Sequence, residues 1–552
     1  MKMKFRRSFL FSARALSIAV SLTSAPLVLA APLTWSGATD DEWDTGFGAV
    51  PTSADTLTIL GPGNAAGPLN IDITSASAAS TITFTNTSAT TLTNANSGSD
   101  QTLTLSGAAG ITTGAGAVTI GSSTPDQAVN VAIGTGQTWN VGAGGLNVLN
   151  SITGGAGITK TGAGTLTLAG NNTYTGNTSV SAGILQLQAN AGNTTAGVTT
   201  AAGNGGYVSL SSGATLQLRG DSATTFAGFN GNNNQSSFSG TVTIDVDRLS
   251  SGSNLTLSTG GFRVSNGGQL NVTGANGYRL QTGGIARDLS AGSSTYTFNP
   301  TTANLTLGSL SSVNGTGGTH TMHWILAGTS SDNIAGGTIN NGQSNTRETR
   351  VTKEGSGTWT ITGNNTYRGG TTVTEGTLIA GHTSALGGTV SGSVTISGGK
   401  LDSVVANVTT GGMTISGGTL EANGAGIGSF TLRNGTDFAM TGGTLQLGID
   451  SVSSYDRIIG TTGGTFSLTG GILDLSSILL DVADYSETYQ IFSGFDSGTV
   501  GGTFSITGYD DVNYTASLSN AGLLSFTAVP EPSVALLSGL GLLGLLRRRR
   551  AA

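Results

Sequence analysis

Few residues in this 552-residue chain are of types that do chemistry. The best-spaced group is Asp245-Val-Asp247-Arg248, because alternate positions of a strand share a face, so the two carboxylates would point together with a cation next to them. A polysaccharide lyase or hydrolase on a β-scaffold needs that set: carboxylates for calcium or acid–base work and a basic group near the sugar. No further acidic residue with ligand spacing lies nearby, which favours a solvated strand face. His320 and His323 stand three apart and would face opposite sides of a strand, so a shared metal would require a turn. The chain has no Cys, and the third His, His382, is distant, so the pair reads as structural. Asp510-Asp511 reads as a polar turn. Phosphate-binding loops, a calcium-binding Gly-Gly-x-Gly-x-Asp nonapeptide and a nucleophile–base arrangement are not seen. No catalytic, metal or cofactor residue is assigned, no cofactor is expected, and the chain reads as a non-enzyme, with a β-helix polysaccharide lyase or hydrolase as the alternative.

The residues that must be acted upon are more informative. Val529-Pro530-Glu531-Pro532-Ser533 precedes an apolar stretch from Val534 to Leu546 and then Arg547, Arg548, Arg549 and Arg550. Proline on both sides of Glu531 stops regular structure and leaves a stiff, accessible break suited to processing. The apolar stretch is short of the ~20 residues that cross a bilayer comfortably, and the arginines would hold its end on the cytoplasmic side. These three parts, in this order, resemble the PEP-CTERM sorting signal handled by an exosortase. The resemblance implies transient retention in the inner membrane by a short hydrophobic helix, cleavage near the motif, and passage to the cell surface or extracellular matrix. At the other end, Lys2, Lys4, Arg6, Arg7 and Arg14 precede an apolar run from Ala15 to Leu29, and Val28-Leu29-Ala30 has the small-x-small pattern of a secretory cleavage site between Ala30 and Ala31. A signal helix and delivery to the secretion translocon are expected.

Composition bounds what lies between. There are 90 Gly, and 36% of residues are hydrophobic, with recurrent alternation that speaks for repetitive β-structure over disorder. Between residues 31 and 546 stand 29 acidic and 13 basic residues, a formal charge of about −16 that repels nucleic acid. Without Cys, an exported chain must rely on burial and backbone hydrogen bonding.

Self-similarity supplies the architecture. Lys160-Thr-Gly-Ala-Gly-Thr-Leu-Thr-Leu-Ala-Gly-Asn-Asn-Thr-Tyr174 recurs without a gap as Lys353-Glu-Gly-Ser-Gly-Thr-Trp-Thr-Ile-Thr-Gly-Asn-Asn-Thr-Tyr367, and the match runs on to Leu185 and Leu378. Leu166 and Leu168, or Trp359 and Ile361, alternate with Thr and would fall on one strand face. Gly170-Asn171-Asn172 and Gly363-Asn364-Asn365 then supply turn residues, of types that tolerate positive φ. A shorter unit follows, with Gly pairs beginning at 398, 417, 442 and 470, that is 19, 25 and 28 residues apart. This spacing fits rungs of a β-solenoid, with the Gly pairs at corners. An up-and-down antiparallel array is the competing architecture. About 20 rungs at ~4.8 Å would make a rod of roughly 100 Å.

The units at 160–185 and 353–378 resemble the autotransporter-associated β-strand repeat of bacterial surface passengers, and Gln137-Thr-Trp-Asn-Val141 through Ile152-Thr-Gly-Gly-Ala-Gly157 resembles its lead-in. The resemblance implies a right-handed parallel β-helix without known catalysis. The string of amphipathic strands that forms an outer-membrane barrel is not seen at the C-terminal end, so the sorting tail is expected to replace that export route.

The expected organisation is a signal peptide at 1–30, an all-β solenoid body at 31–528 and the sorting signal at 529–552. Within the body, the repeats lie near 125–188 and 308–381 and the Gly-Gly rungs at 390–475. Leu33 to Trp43 is expected to cap the first rung and Tyr489–Phe492 with Thr503–Ile506 the last, while 189–240 reads as a loop or a decorated rung. The function expected is that of a structural or adhesive surface or matrix component, with matrix polysaccharide as a partner.

Overall fold

A computed structural model describes residues 32–530 apart from 36–41, 49, 61–68, 95–97, 125, 192–193, 196–197, 230–235, 288–292, 312–319, 342–346, 388–391, 425 and 477–483. The expected signal helix with its Ala30–Ala31 junction, and the tail from Glu531 through Pro532 to Arg550, lie outside the described residues.

The body is all-β, built of short strands that pair in parallel with the strand one coil later, as in a β-helix or solenoid. Three faces can be followed. The first runs, among the described residues, through twelve strands from Pro32–Trp35 to Leu310–Ser311. The second runs from Leu69–Asp72 through Thr165–Leu168, Thr241–Asp247 and Arg347–Lys353 to Ser497–Val500. The third passes through Gln101–Leu105 and Ile152–Thr153, and later through Thr256–Thr259 and Thr358–Ile361 to Ser505–Thr507. Among the described residues, eighteen strands stack on the second face, close to the twenty rungs expected, which gives a length of about 80 Å at ~4.8 Å per step. The antiparallel alternative fails for the body. Among the described residues, antiparallel pairing is confined to two small hairpins, Thr194–Thr199 and Ile449–Tyr455, and to the terminal sheet.

Alternation decides what each strand buries. In Thr241–Asp247, Val242, Ile244 and Val246 are buried while Thr243, Asp245 and Asp247 face outward. Coil after coil, the inward residues fill one continuous apolar interior, and the outward Thr, Ser, Asn and Gln remain wetted. Residues 189–240 continue this pattern through Val208–Leu210 and Thr215–Gly220, so the segment is a set of decorated rungs; Asn230–Gln235 lie outside the described residues.

The Gly pairs form the corners. In each, the second glycine is left-handed: Gly399, Gly418, Gly443 and Gly471 have φ of 63°, 67°, 76° and 91°. They stack directly on one another, so a Cβ on Gly418 would lie 2.3 Å from the Gly399 carbonyl oxygen and one on Gly443 2.7 Å from that of Gly418. Both the dihedral and the close backbone approach exclude a side chain here.

The ends of the stack differ from its middle. Trp35, Trp43 and Phe47 pack edge to face beside the first strand. At the far end the chain turns antiparallel, with Leu523–Ala528 as the central strand between Thr488–Gln490 and Tyr514–Leu518. Tyr485, Tyr514 and Phe526 pack on this sheet, and the Asn520 carboxamide accepts the Val500 N–H at 2.9 Å, over the last rung of the second face. The last-rung strands Ser497–Val500 and Ser505–Thr507 pair only with Thr465–Asp474, so this sheet covers their outer edge through Asn520 without pairing along it.

Candidate functional site

The two long repeat copies carry the same internal polar set. Lys160 and Lys353 are fully buried, and each ammonium donates to three carbonyls at a corner. For Lys160 these are Thr161, Gly162 and Ala182 at 2.9, 2.8 and 3.0 Å; for Lys353 they are Glu354, Gly355 and Glu375 at 2.7, 2.5 and 3.2 Å. Burial pushes both ammonium groups down to about 8. Asn172 accepts the Ile152 N–H at 2.8 Å and donates to the Ala201 carbonyl at 2.7 Å. Asn365 does the same with Ile339 and Ala385, both at 2.7 Å. The Tyr174 hydroxyl meets Thr178 at 2.5 Å and Tyr367 meets Thr371 at 2.6 Å.

Asn171-Asn172 and Asn364-Asn365, expected as turn residues able to take positive φ, do not use that freedom. None of the four has positive φ. The second Asn of each pair is buried because its carboxamide, with one acceptor and two donors, clamps the coil before it to the coil after it.

The outward candidates lie on the second face. Asp245 and Asp247 do share a face, but Arg248 is not the cation that Asp245 meets. The Arg219 guanidinium, one rung earlier, forms that ion pair, and the Thr273 hydroxyl, one rung later, donates to the other carboxylate oxygen at 2.7 Å. Asp247 accepts the Arg248 backbone N–H at 2.8 Å and the Asn276 amide at 2.7 Å. Both carboxylates thus serve as cross-rung ties. Asp510 is held in a turn by Asn513, and that side-chain hydrogen bond keeps its carboxyl below the usual range. His382 accepts the Ser384 N–H at 3.0 Å.

His320 and His323 fall on one strand, His320–Leu326, and are not brought together by a turn. His323 faces outward, between the buried Met322 and Trp324, and contacts Thr352 at 2.7 Å. Partial burial, and then the neighbouring Arg350, hold its imidazole below the ordinary range. Register sets Thr295, His323 and Arg350 side by side on three successive rungs. The sequence reading did not single out Arg350; only the pairing of strands 27 residues apart puts it there. It also missed Lys400, which bridges Glu421 and Asp402, and the buried Asp456, whose carboxylate accepts the N–H groups of Gly428 and Gly448 and is pushed up to about 6 by burial. Among the described residues, no group of three or more His, Asp or Glu could hold a metal ion.

The geometry defines a parallel-coil repeat protein whose final strand, Leu523–Ala528, leads straight into the Pro-Glu-Pro segment. Comparison with protein families agrees. Residues 158–187, 351–380 and 404–422 match the passenger-associated-transport-repeat, and residues 528–550 match the PEP-CTERM protein-sorting motif. The chain therefore carries both the repeats and the sorting signal that its sequence resembles. The third match takes in Met413–Leu420, one of the Gly-Gly rungs, which the sequence reading had set apart as a second repeat. The structure shows the kinship: Gly376 of the second long copy and Gly399, Gly418 and Gly443 of the short units occupy one corner column. The families matched are repeat and sorting types and name no catalytic activity. No curated protein matches the chain.

Proposed function

We propose that this protein is an exported, non-enzymatic, right-handed β-solenoid, sorted by an exosortase-type enzyme and acting as a rigid structural or adhesive component of the cell surface or extracellular matrix. The observation that carries this reading is the join between the far end of the parallel stack and a matched sorting motif. The body ends at Ala528, and the motif match begins there. In this scheme residues 1–30 deliver the chain to the secretion translocon and are removed between Ala30 and Ala31. Val529, Pro530, Glu531 and Pro532 then present the processing segment, while Arg547, Arg548, Arg549 and Arg550 hold the short hydrophobic helix from the cytoplasmic side of the inner membrane. The released rod bears repeated rows of hydroxyl and amide groups, so many weak contacts to matrix polysaccharide or neighbouring rods can add up.

Fractionation of the native host with mass spectrometry of the mature termini tests the sorting. A surface or released body lacking the arginine tail, mislocalised when residues 529–552 are deleted, is expected. A body still joined to Arg547–Arg550 in the inner membrane would overturn the scheme.

A further inference from the structure

Ser293, Ser294, Thr295, Thr321, His323 and Arg350 line an open groove of about 270 Å³ on the second face. Three properties bear on what it could hold. Its column of Thr295, His323 and Arg350 repeats at ~4.8 Å, so hydroxyl, imidazole and guanidinium span about 10 Å along the rod. Among the described residues, the Arg350 guanidinium, like that of the exposed Arg248, makes no ion pair or hydrogen bond, whereas Arg219 and Arg279 are each matched to a carboxylate on another rung; Arg350 alone of the four lies in this groove. The next rung offers Gly369 and Gly370 beside Arg350, which leaves that flank of the guanidinium open.

We propose that this groove binds an anionic sugar polymer, with Arg350 engaging a carboxylate or sulfate and Thr295, Thr321 and His323 the flanking hydroxyls. The proposal rests on the matrix reading above and narrows it to acidic polysaccharide at one site. A planar guanidinium matches a carboxylate or sulfate in two parallel hydrogen bonds, and hydroxyl-lined walls suit sugar hydroxyls. The groove lining includes no Trp, Tyr or Phe on which bases would stack, which argues against single-stranded nucleic acid.

The experiment is binding of the purified full-length protein to immobilised polygalacturonate, heparin, dextran and single-stranded DNA at fixed ionic strength. Retention on polygalacturonate or heparin and not on dextran or DNA is expected, with polygalacturonate and heparin separating carboxylate from sulfate recognition. Arg350→Gln should weaken binding about tenfold or more, Arg350→Lys should retain part of it, and Arg248→Gln should leave it unchanged. Unchanged affinity in Arg350→Gln, with an unaltered melting curve, would overturn the assignment, as would equal retention on DNA or dextran. Either failure leaves the sorting scheme intact, because localisation of the mature chain is read separately.

Discussion

Lys160 and Lys353 make the same three hydrogen bonds on two different faces of the coil. The strand of Lys160, Ile158–Thr161, belongs to the first face, whereas that of Lys353, Arg347–Lys353, lies seven pairings along the second face from Thr165–Leu168, the strand that follows Lys160 in the first copy. Asn172 and Asn365 shift likewise: Asn172 meets Ile152 of the third face, and Asn365 meets Ile339, which bridges to Leu310 of the first. The repeat has stepped round the rod by one face with its internal bonds intact. It is therefore a local corner-and-clamp unit that works on whichever face the rung lengths place it.

The buried lysines make stability depend on alkaline pH. Their folded-state values, about 8, lie below the unfolded value of 10.5, so between those limits the unfolded chain binds more protons and stability rises with pH. Each lysine accounts for up to about 3 kcal/mol across that window. Tyr174 and Tyr367 act oppositely, since burial holds their phenols above the ordinary 10, and stability falls once the unfolded tyrosines ionise. Denaturant midpoints should therefore climb from pH 8 to near 10 and then drop. Lys160→Met with Lys353→Met should flatten the climb, and an unchanged slope in that double variant would refute the assignment.

Asn365→Ala leaves the buried Ile339 N–H without its acceptor and takes from the Ala385 carbonyl the nearer of two donors, the other being the Tyr367 hydroxyl at 3.3 Å. A loss of about 2–4 kcal/mol is expected, measured by thermal unfolding. Asn364→Ala, one residue earlier, should cost under about 0.5 kcal/mol, because Asn364 is exposed and clamps no rung.

The contrast between these two asparagines shows what was legible. Alternation of Leu166 and Leu168 with Thr gave strand and face, because period 2 is a local property. The Gly-Gly corners were legible for the same reason, since a tight backbone turn leaves glycine where it falls. Asn172 was misread because the same residue type serves a turn or a buried clamp, and only the coils on either side decide between them. Arg219 with Asp245, and Arg350 beside His323, depend on register across about 26 residues, which the lengths of the intervening corners set and no short pattern encodes. The one-face rotation accumulates over the 193 residues from Lys160 to Lys353 and was hidden for that reason.

Two left-handed glycines separate dihedral strain from backbone crowding. Gly213 has φ 84° and open space where a Cβ would go, so Gly213→Ala should cost about 1 kcal/mol. Gly418, at φ 67°, also faces the Gly399 carbonyl oxygen at 2.3 Å, and Gly418→Ala must in addition move two rungs apart. It should cost at least about 2 kcal/mol more, in line with overpacking elsewhere. Equal melting temperatures for the two variants would show that the corner column relaxes freely.

The terminal sheet sets how much tail the body can lose. Val529 still donates its N–H to the Asn513 carbonyl at 2.8 Å, and beyond it Pro530 is exposed, so the described fold gains little after Ala528. Deleting residues 529–552 should leave the melting temperature within about 2 °C, a loss below about 0.5 kcal/mol. Deleting 519–552 takes away Leu523–Ala528, the central strand that both Thr488–Gln490 and Tyr514–Leu518 pair with, and with it Phe526, which packs on Tyr485 and Tyr489. It also removes the Asn520 carboxamide from the Val500 N–H and uncovers the outer edge of Ser497–Val500, which pairs on one side only and can then pair with another chain. The longer deletion should therefore aggregate at concentrations where the shorter stays monodisperse, as read by light scattering. If both variants behave alike, the antiparallel sheet is not the seal of the stack, and sorting could cut well inside it without harm to the rod.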